Sequence, residues 1–378
     1  MDFAATGLLD GLEGHERAAR ETLLRQLLDD GFSLEQLEAA VAEDRLALLP
    51  VERVLGGRYT AEEVEARTDL PAVTLLRLRR ILGLPEARAE DRVFGEEDIA
   101  MALSTRRVLD LGLDEESIAE ITRVLGEAMA RLTATTAAAF VEAFLEPGDS
   151  EHDVAVRFAG LAEEMVPTLH PVLTAAYTAH LREAVRRGMI SRAEREQGSS
   201  AGAQELAVCF ADLVSFTRMG VQVEAQELGG VAGRLAELAG QVVESPVRLI
   251  KTIGDAAMYV SPEPGPMVSV ALSLVEAVRG ADLPSLRAGI AHGPTLLRAG
   301  DYYGHSVNLA SRVTGIARPD SVLCTQAVHD AAAGDFKWSF AGTRRVKGVG
   351  KGVPLYRAQL LTAETSRHDG GRRRKQKR

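Results

Sequence analysis

The chain has 378 residues, with 54 Asp+Glu against 44 Lys+Arg and a formal net charge of −10; that is too long for one average domain and too acidic for broad binding to nucleic-acid backbones. Its two cysteines, Cys209 and Cys324, lie far apart in apolar runs and read as small buried hydrophobes of a reducing compartment, not as a disulfide or metal pair. No apolar run approaches the roughly 18 residues of a membrane span, and Met1-Asp2-Phe3 opens without a charged leader, so a soluble cytoplasmic protein is expected.

Charge divides unevenly along the chain. Residues 1–200 hold 38 Asp+Glu against 22 Lys+Arg, net −16, and residues 201–378 hold 16 against 22, net +6. The first 196 residues read as a helical domain, with Leu, Ala and Val at three-and-four spacing between charges. Residues 17–28 and 33–46 are two such helices, the second opened by a Ser33 cap with Glu35 in its first turn. The stretch from Arg58-Tyr59-Thr60-Ala61-Glu62-Glu63-Val64 through Arg77-Leu78-Arg79-Arg80 and Gly83-Leu84-Pro85 to Phe94-Gly95-Glu96 resembles a MerR-type winged helix-turn-helix. Arg77, Arg79 and Arg80 are its clear basic cluster; their acidic surroundings favour a scaffold over a DNA reader by about three to one. His152, His170 and His180 lie near the domain junction, where neutral-range titration can report pH, although scattered histidines are more often ordinary surface or core groups.

Gly198-Ser199-Ser200-Ala201-Gly202 marks a short linker over residues 197–204. From residue 205 strands and helices alternate: strands over 206–213, 247–253, 256–260 and 285–291, helices over 223–243 and 267–278, and a short segment over 295–298. A helix from Val307 and strands near 322–325 and 353–358 follow. The expected class is α+β, a ferredoxin-like β-α-β-β-α-β core with additions, preceded by an all-α domain. Cys209-Phe210-Ala211-Asp212 and Leu249-Ile250-Lys251-Thr252-Ile253-Gly254-Asp255 each end an apolar run in an acid. Two Asp at strand ends can share a pair of hard cations. In Gly300-Asp301-Tyr302-Tyr303-Gly304-His305-Ser306-Val307-Asn308-Leu309-Ala310-Ser311-Arg312, Asn308 and Arg312 fall at i and i+4 on one helix face. An amide and a guanidinium there suit a sugar oxygen and a phosphate. The chain uses six Lys and 38 Arg, with no Lys before Lys251; a Lys where Arg is the habit indicates a compact, single-point donor.

These residues carry a specific resemblance. Residues 205–360 are similar to the catalytic domain of the class III nucleotidyl cyclases, and Asp212, Lys251, Asp255, Asp301, Asn308 and Arg312 stand in the family's six motif positions in order. The resemblance implies an adenylate cyclase acting on ATP as a head-to-tail homodimer. It makes Asp212 and Asp255 the ligands of two Mg2+ or Mn2+ ions per site, Lys251 and Asp301 the adenine readers, and Asn308 and Arg312 the ribose and transition-state residues. Phe216 and Thr217 fall in the phosphate loop, and Lys347, in Arg345-Val346-Lys347-Gly348-Val349-Gly350, resembles the triphosphate lysine. Ser215 replaces the usual loop glycine, and few residues separate Gly293 from Asp301, so the arm reaching the partner is short, as in an actinobacterial-type subgroup. Helical domains joined to such cyclases resemble autoinhibitory modules that respond to protons or fatty acids. The cyclase domain is expected over 205–362 and a disordered basic tail over 363–378. The rival readings are a DNA-binding regulator with a nucleotide-sensing cyclase-like domain, and a guanylate cyclase, which Lys251 and Asp301 disfavour.

Overall fold

The structure, a computed structural model, describes residues 3–186, 203–220, 223–346 and 352–361. The linker glycines and serines, Lys347 and the basic tail lie outside the described residues. The chain divides into two compact units, Met1–Ile190 and Ser191–Arg378.

The first unit is helical: α1 (Gly14–Asp29), α2 (Leu34–Ala42), α3 (Leu49–Leu55), α4 (Ala61–Thr68), α5 (Ala72–Ile81), α6 (Glu96–Asp110), α7 (Glu115–Phe144) and α8 (Glu151–Arg186). Ser33 and Gln36 form a reciprocal capping box that starts α2. The helix ends at Ala42, short of the expected 46, because Asp44 turns left-handed (φ 53) and a 3-10 turn over Leu46–Leu48 follows. Leu23, Leu24, Leu27, Leu37 and Leu46 bury one small core with Ala155 of α8, and Val64, Leu70, Leu75 and Phe94 bury a second. The second core lies where the helix-turn-helix resemblance falls: α4 and α5 are joined by a turn at Asp69, and Tyr59 and Phe94 form an isolated antiparallel bridge. Its arginines are already engaged: Arg77 pairs with Glu115 at 3.1 Å, Arg80 with Glu86 at 3.5 Å, and Arg79 lies over the Phe94 ring. Of the three histidines, His170 and His180 are exposed on α8.

The second unit is a mixed sheet of eight strands: β1 (Gln204–Leu213), β2 (Arg248–Ile253), β3 (Ala256–Ser261), β4 (Leu286–Arg298), β5 (Asp301–Tyr303), β6 (Ser321–Thr325), β7 (Lys337–Arg344) and β8 (Val353–Gln359). Their order is β2-β3-β1-β4-β6-β8-β7, with β5 folded back onto β4. Only β4 and β6 pair in parallel among the described strands. Together with helices α10 (Ala225–Gln241) and α11 (Pro264–Arg279), the first four strands give the ferredoxin-like core. The short α9 (Phe216–Met219) follows β1, and α12 (His305–Ile316) and α13 (Gln326–Ala331) complete the unit. The period-2 alternation of β1 sets its two faces. Ala207, Cys209, Ala211 and Leu213 enter the core under α10 and α11, while Leu206 and Val208 enter the core under α12. Cys209 and Cys324 are buried free thiols; burial pushes Cys209 up to about 12, so both act as small hydrophobes. Two sequence readings change: 285–291 and 295–298 form one continuous strand, and β5, β7 and α13 were not anticipated.

Candidate active site

Asp212 is the last α12-facing residue of β1, opposite Ala256 of β3 and Arg287 of β4. Asp255 is the second residue of a two-residue hairpin turn whose first, Gly254, has φ 56, a conformation glycine adopts without strain. The Leu213 N–H donates to the Asp255 carbonyl at 3.0 Å, which ties the turn to the strand end. The turn thereby brings the Asp255 carboxylate within reach of the Asp212 charge. Burial and the charge of Asp212 push the Asp255 carboxyl above its ordinary value. Arg287 donates to Asp212 at 3.0 Å from Nε and 2.6 Å from Nη2, and to the Gly315 carbonyl at 3.1 Å. It therefore links the carboxylates to the end of α12.

Lys251 reaches the same face through an irregularity. Leu249 opposes Tyr259 and packs in the α10–α11 core, and strict alternation would send Lys251 there too. A β-bulge between Leu249 and Lys251 inserts Ile250, so that Lys251 opposes Met258, whose side chain lies in the α12 core. There Lys251 forms an ion pair with Asp301, the first residue of β5. Asp301 is set by a tight turn, Ala299-Gly300, both residues left-handed (φ 50 and 73). Burial acts upward on its carboxyl, but the Lys251 ammonium and the Tyr302 N–H outweigh it and hold it below the ordinary carboxylate value. The side chains of Lys251 and Asp301 are 30% and 36% exposed. At that exposure the cost of burying the charges is small, and the pair forms.

α12 turns Ser306, Ala310, Val313 and Thr314 inward, leaving Asn308 and Arg312 exposed on its outer face, one turn apart. Gly289 sets how closely it packs: a Cβ there would lie 2.2 Å from the Thr314 nitrogen, and Thr314 Oγ1 donates to the Phe210 carbonyl at 3.1 Å.

An adenylate cyclase regulatory domain family matches residues 1–185, and the adenylate and guanylate cyclase catalytic domain family matches residues 199–358. A pH-sensitive adenylate cyclase of Mycobacterium tuberculosis (strain CDC 1551 / Oshkosh) is 37% identical over 95% of this chain and 92% of its own. The chain belongs to the class III adenylate cyclases. Adenylate cyclases of Streptomyces coelicolor and Glutamicibacter nicotianae are each 30% identical, over 75% and 72% of this cyclase and 75% and 71% of their own chains.

Divalent metal ions are the cofactors of this cyclase domain family, and the carboxylate pair fits them. Asp212 and Asp255 are half-buried oxygen donors close enough to repel, and the raised Asp255 carboxyl marks a shortage of positive charge that a hard cation would supply. Among the described residues no group of three or more His, Cys, Asp or Glu gathers around one point. Ser215, where the family pattern has a glycine, has a left-handed backbone at φ 68. The Leu213 and Val214 amides are used by Asp255 and Ser285 carbonyls, which confines any phosphate cradle to the turn from Ser215 through Phe216 and Thr217. Lys347 lies outside the described residues. Sequence reasoning missed Arg287, because the contrast that singled out Lys251, a Lys in a chain that uses Arg, is silent for an Arg.

Proposed function

We propose that this cyclase converts ATP to 3′,5′-cyclic AMP and pyrophosphate at a site shared between two copies of the chain. The observation that carries the reading is the coexistence, on one face of one sheet, of a carboxylate pair and a preformed Lys251–Asp301 donor–acceptor pair. The 3′ oxygen of ribose forms a bond to the α-phosphorus as the bond from that phosphorus to pyrophosphate breaks, and the hydroxyl proton leaves to solvent. Asp212 and Asp255 would hold two Mg2+ or Mn2+ ions per site, which would supply a lowered pKa for that hydroxyl and positive charge against the triphosphate. Arg287 balances Asp212 until substrate arrives. Lys251 donates to an adenine ring nitrogen while Asp301 accepts from the exocyclic amine. Asn308 orients the ribose, and Arg312 stabilises charge growing on the α-phosphate oxygens, where losing one donor typically costs about 100-fold or more. The loop at Phe216 and Thr217, with Lys347, holds the terminal phosphates.

Lys251 lies four residues before Asp255 on the same hairpin, so one chain cannot readily serve both ends of one nucleotide. We therefore assign the carboxylates to one copy and Lys251, Asp301, Asn308 and Arg312 to its partner, with two equivalent sites by symmetry. The helical unit is the regulator, and its cleft of about 850 Å3, lined by Phe32, Leu55 and Val166, suits an effector with an acyl chain. Purified protein supplied with ATP or GTP and Mg2+ or Mn2+, with and without residues 1–200, tests the reading. Cyclic AMP from ATP, changed in amount by the truncation, supports it; preference for GTP or absence of product overturns it.

A further inference from the structure

We propose a second anion site on the catalytic unit, built from Arg318, Arg344 and Arg357, that takes a small phosphoanion such as phosphate or pyrophosphate. The three arginines line one cavity of about 280 Å3 between the end of α12 and strands β6 to β8, over an apolar floor of Leu323 and Leu355. Their placement follows from the strands. On β8, Leu355 enters the core under α12, and Arg357, two residues on, shares that face opposite Leu323 of β6. Arg344 ends β7, and Arg318 follows α12 in the turn that leads to β6, where its carbonyl accepts from Ser321 Oγ.

Three features single out this cavity. Its lining contains three arginines and no acidic residue. Among the described residues none of the three guanidinium groups is in an ion pair, whereas Arg53 and Arg92 of the larger cleft in the helical unit pair with Asp30 and Glu63. Three like charges around one small cavity repel unless an anion joins them. Planar guanidinium forks suit the oxygens of a phosphate better than any single-point anion. The cavity also continues the outer row of α12. Ile316, on its wall, is one turn beyond Arg312, so a phosphoanion here would lie on the helix that carries the α-phosphate residue without using that residue.

The test is calorimetric titration of the full chain with pyrophosphate, and separately with inorganic phosphate, in EDTA at fixed ionic strength, so that the carboxylate pair recruits no metal. Saturable binding is expected to weaken at least tenfold in Arg318→Ala/Arg357→Ala and to persist in Arg312→Ala. No binding by the wild type beyond that of chloride, unchanged binding by the double variant, or abolition by Arg312→Ala alone each overturns the proposal. If the double variant lacks a cooperative melting transition, Arg344→Ala, exposed at the end of β7, takes its place. Weakening of several-fold there supports the site, and unchanged affinity overturns it.

Discussion

Gly289→Ala tests how the fold controls the site, because the change adds one carbon where β4 meets α12. The new Cβ would stand 2.2 Å from the Thr314 nitrogen, 2.6 Å from its Oγ1 and 2.8 Å from the Ala310 carbonyl oxygen, so the obstruction is mostly helix backbone. Ordinary contact begins at 3.4 Å, so α12 must withdraw by about 1.2 Å in a close-packed interior that has no slack to absorb it. Overpacking of this kind costs about 1–3 kcal/mol, which a domain of ordinary stability survives. The functional effect should be larger. Asn308 and Arg312 move with the helix, the Thr314 bond to Phe210 is strained, and Arg287 loses its geometry to Gly315. A displacement near 1 Å at reacting groups lowers kcat about 100-fold. Thermal melting followed by circular dichroism and ATP turnover at saturating Mn2+ measure the two effects. A folded variant with wild-type kcat would refute the claim that α12 packing positions the catalytic pair.

Ser215→Gly should stabilise the protein by about 1 kcal/mol by relieving a left-handed side-chain residue, and an unchanged or lowered melting temperature would contradict this. In metal-free protein, Asp255→Asn should raise stability at neutral pH, by less than about 1 kcal/mol after solvent screening, while Mg2+- or Mn2+-dependent turnover is lost. The sign follows from the raised Asp255 carboxyl: the wild type is favoured while that group is protonated and loses this contribution as pH rises through its folded value. Destabilisation of the metal-free variant at pH 7 would overturn the repulsion argument. Lys251→Glu should abolish ATP turnover by replacing a donor with an acceptor beside Asp301, with little change in melting; unaltered ATP use would remove the base-reading role.

The six motif residues were legible because strand ends, a hairpin turn and an i,i+4 pair leave local patterns. The side to which Lys251 points was not, because nothing in Leu249-Ile250-Lys251-Thr252 marks the extra residue; the bulge is fixed by pairing with Tyr259 and Met258 across the hairpin. Strand β7 escaped notice because it is an edge, paired only to β8, and its polar, exposed residues show no clean alternation. β5 is three residues long and exists only because Ala299-Gly300 folds it onto β4. The Lys251–Asp301 ion pair was not legible, because its cost depends on an exposure that only the tertiary fold sets.

The central claim is that each active site draws on two chains. Asp212→Ala protein and Arg312→Ala protein, each inactive alone, are mixed in equal amounts under conditions where subunit exchange is verified by differential tagging. Random exchange makes half the dimers mixed, each with one wholly wild-type site of its two, so activity should return to about a quarter of the wild-type value. Verified exchange with no return of activity would mean that each chain builds its site alone.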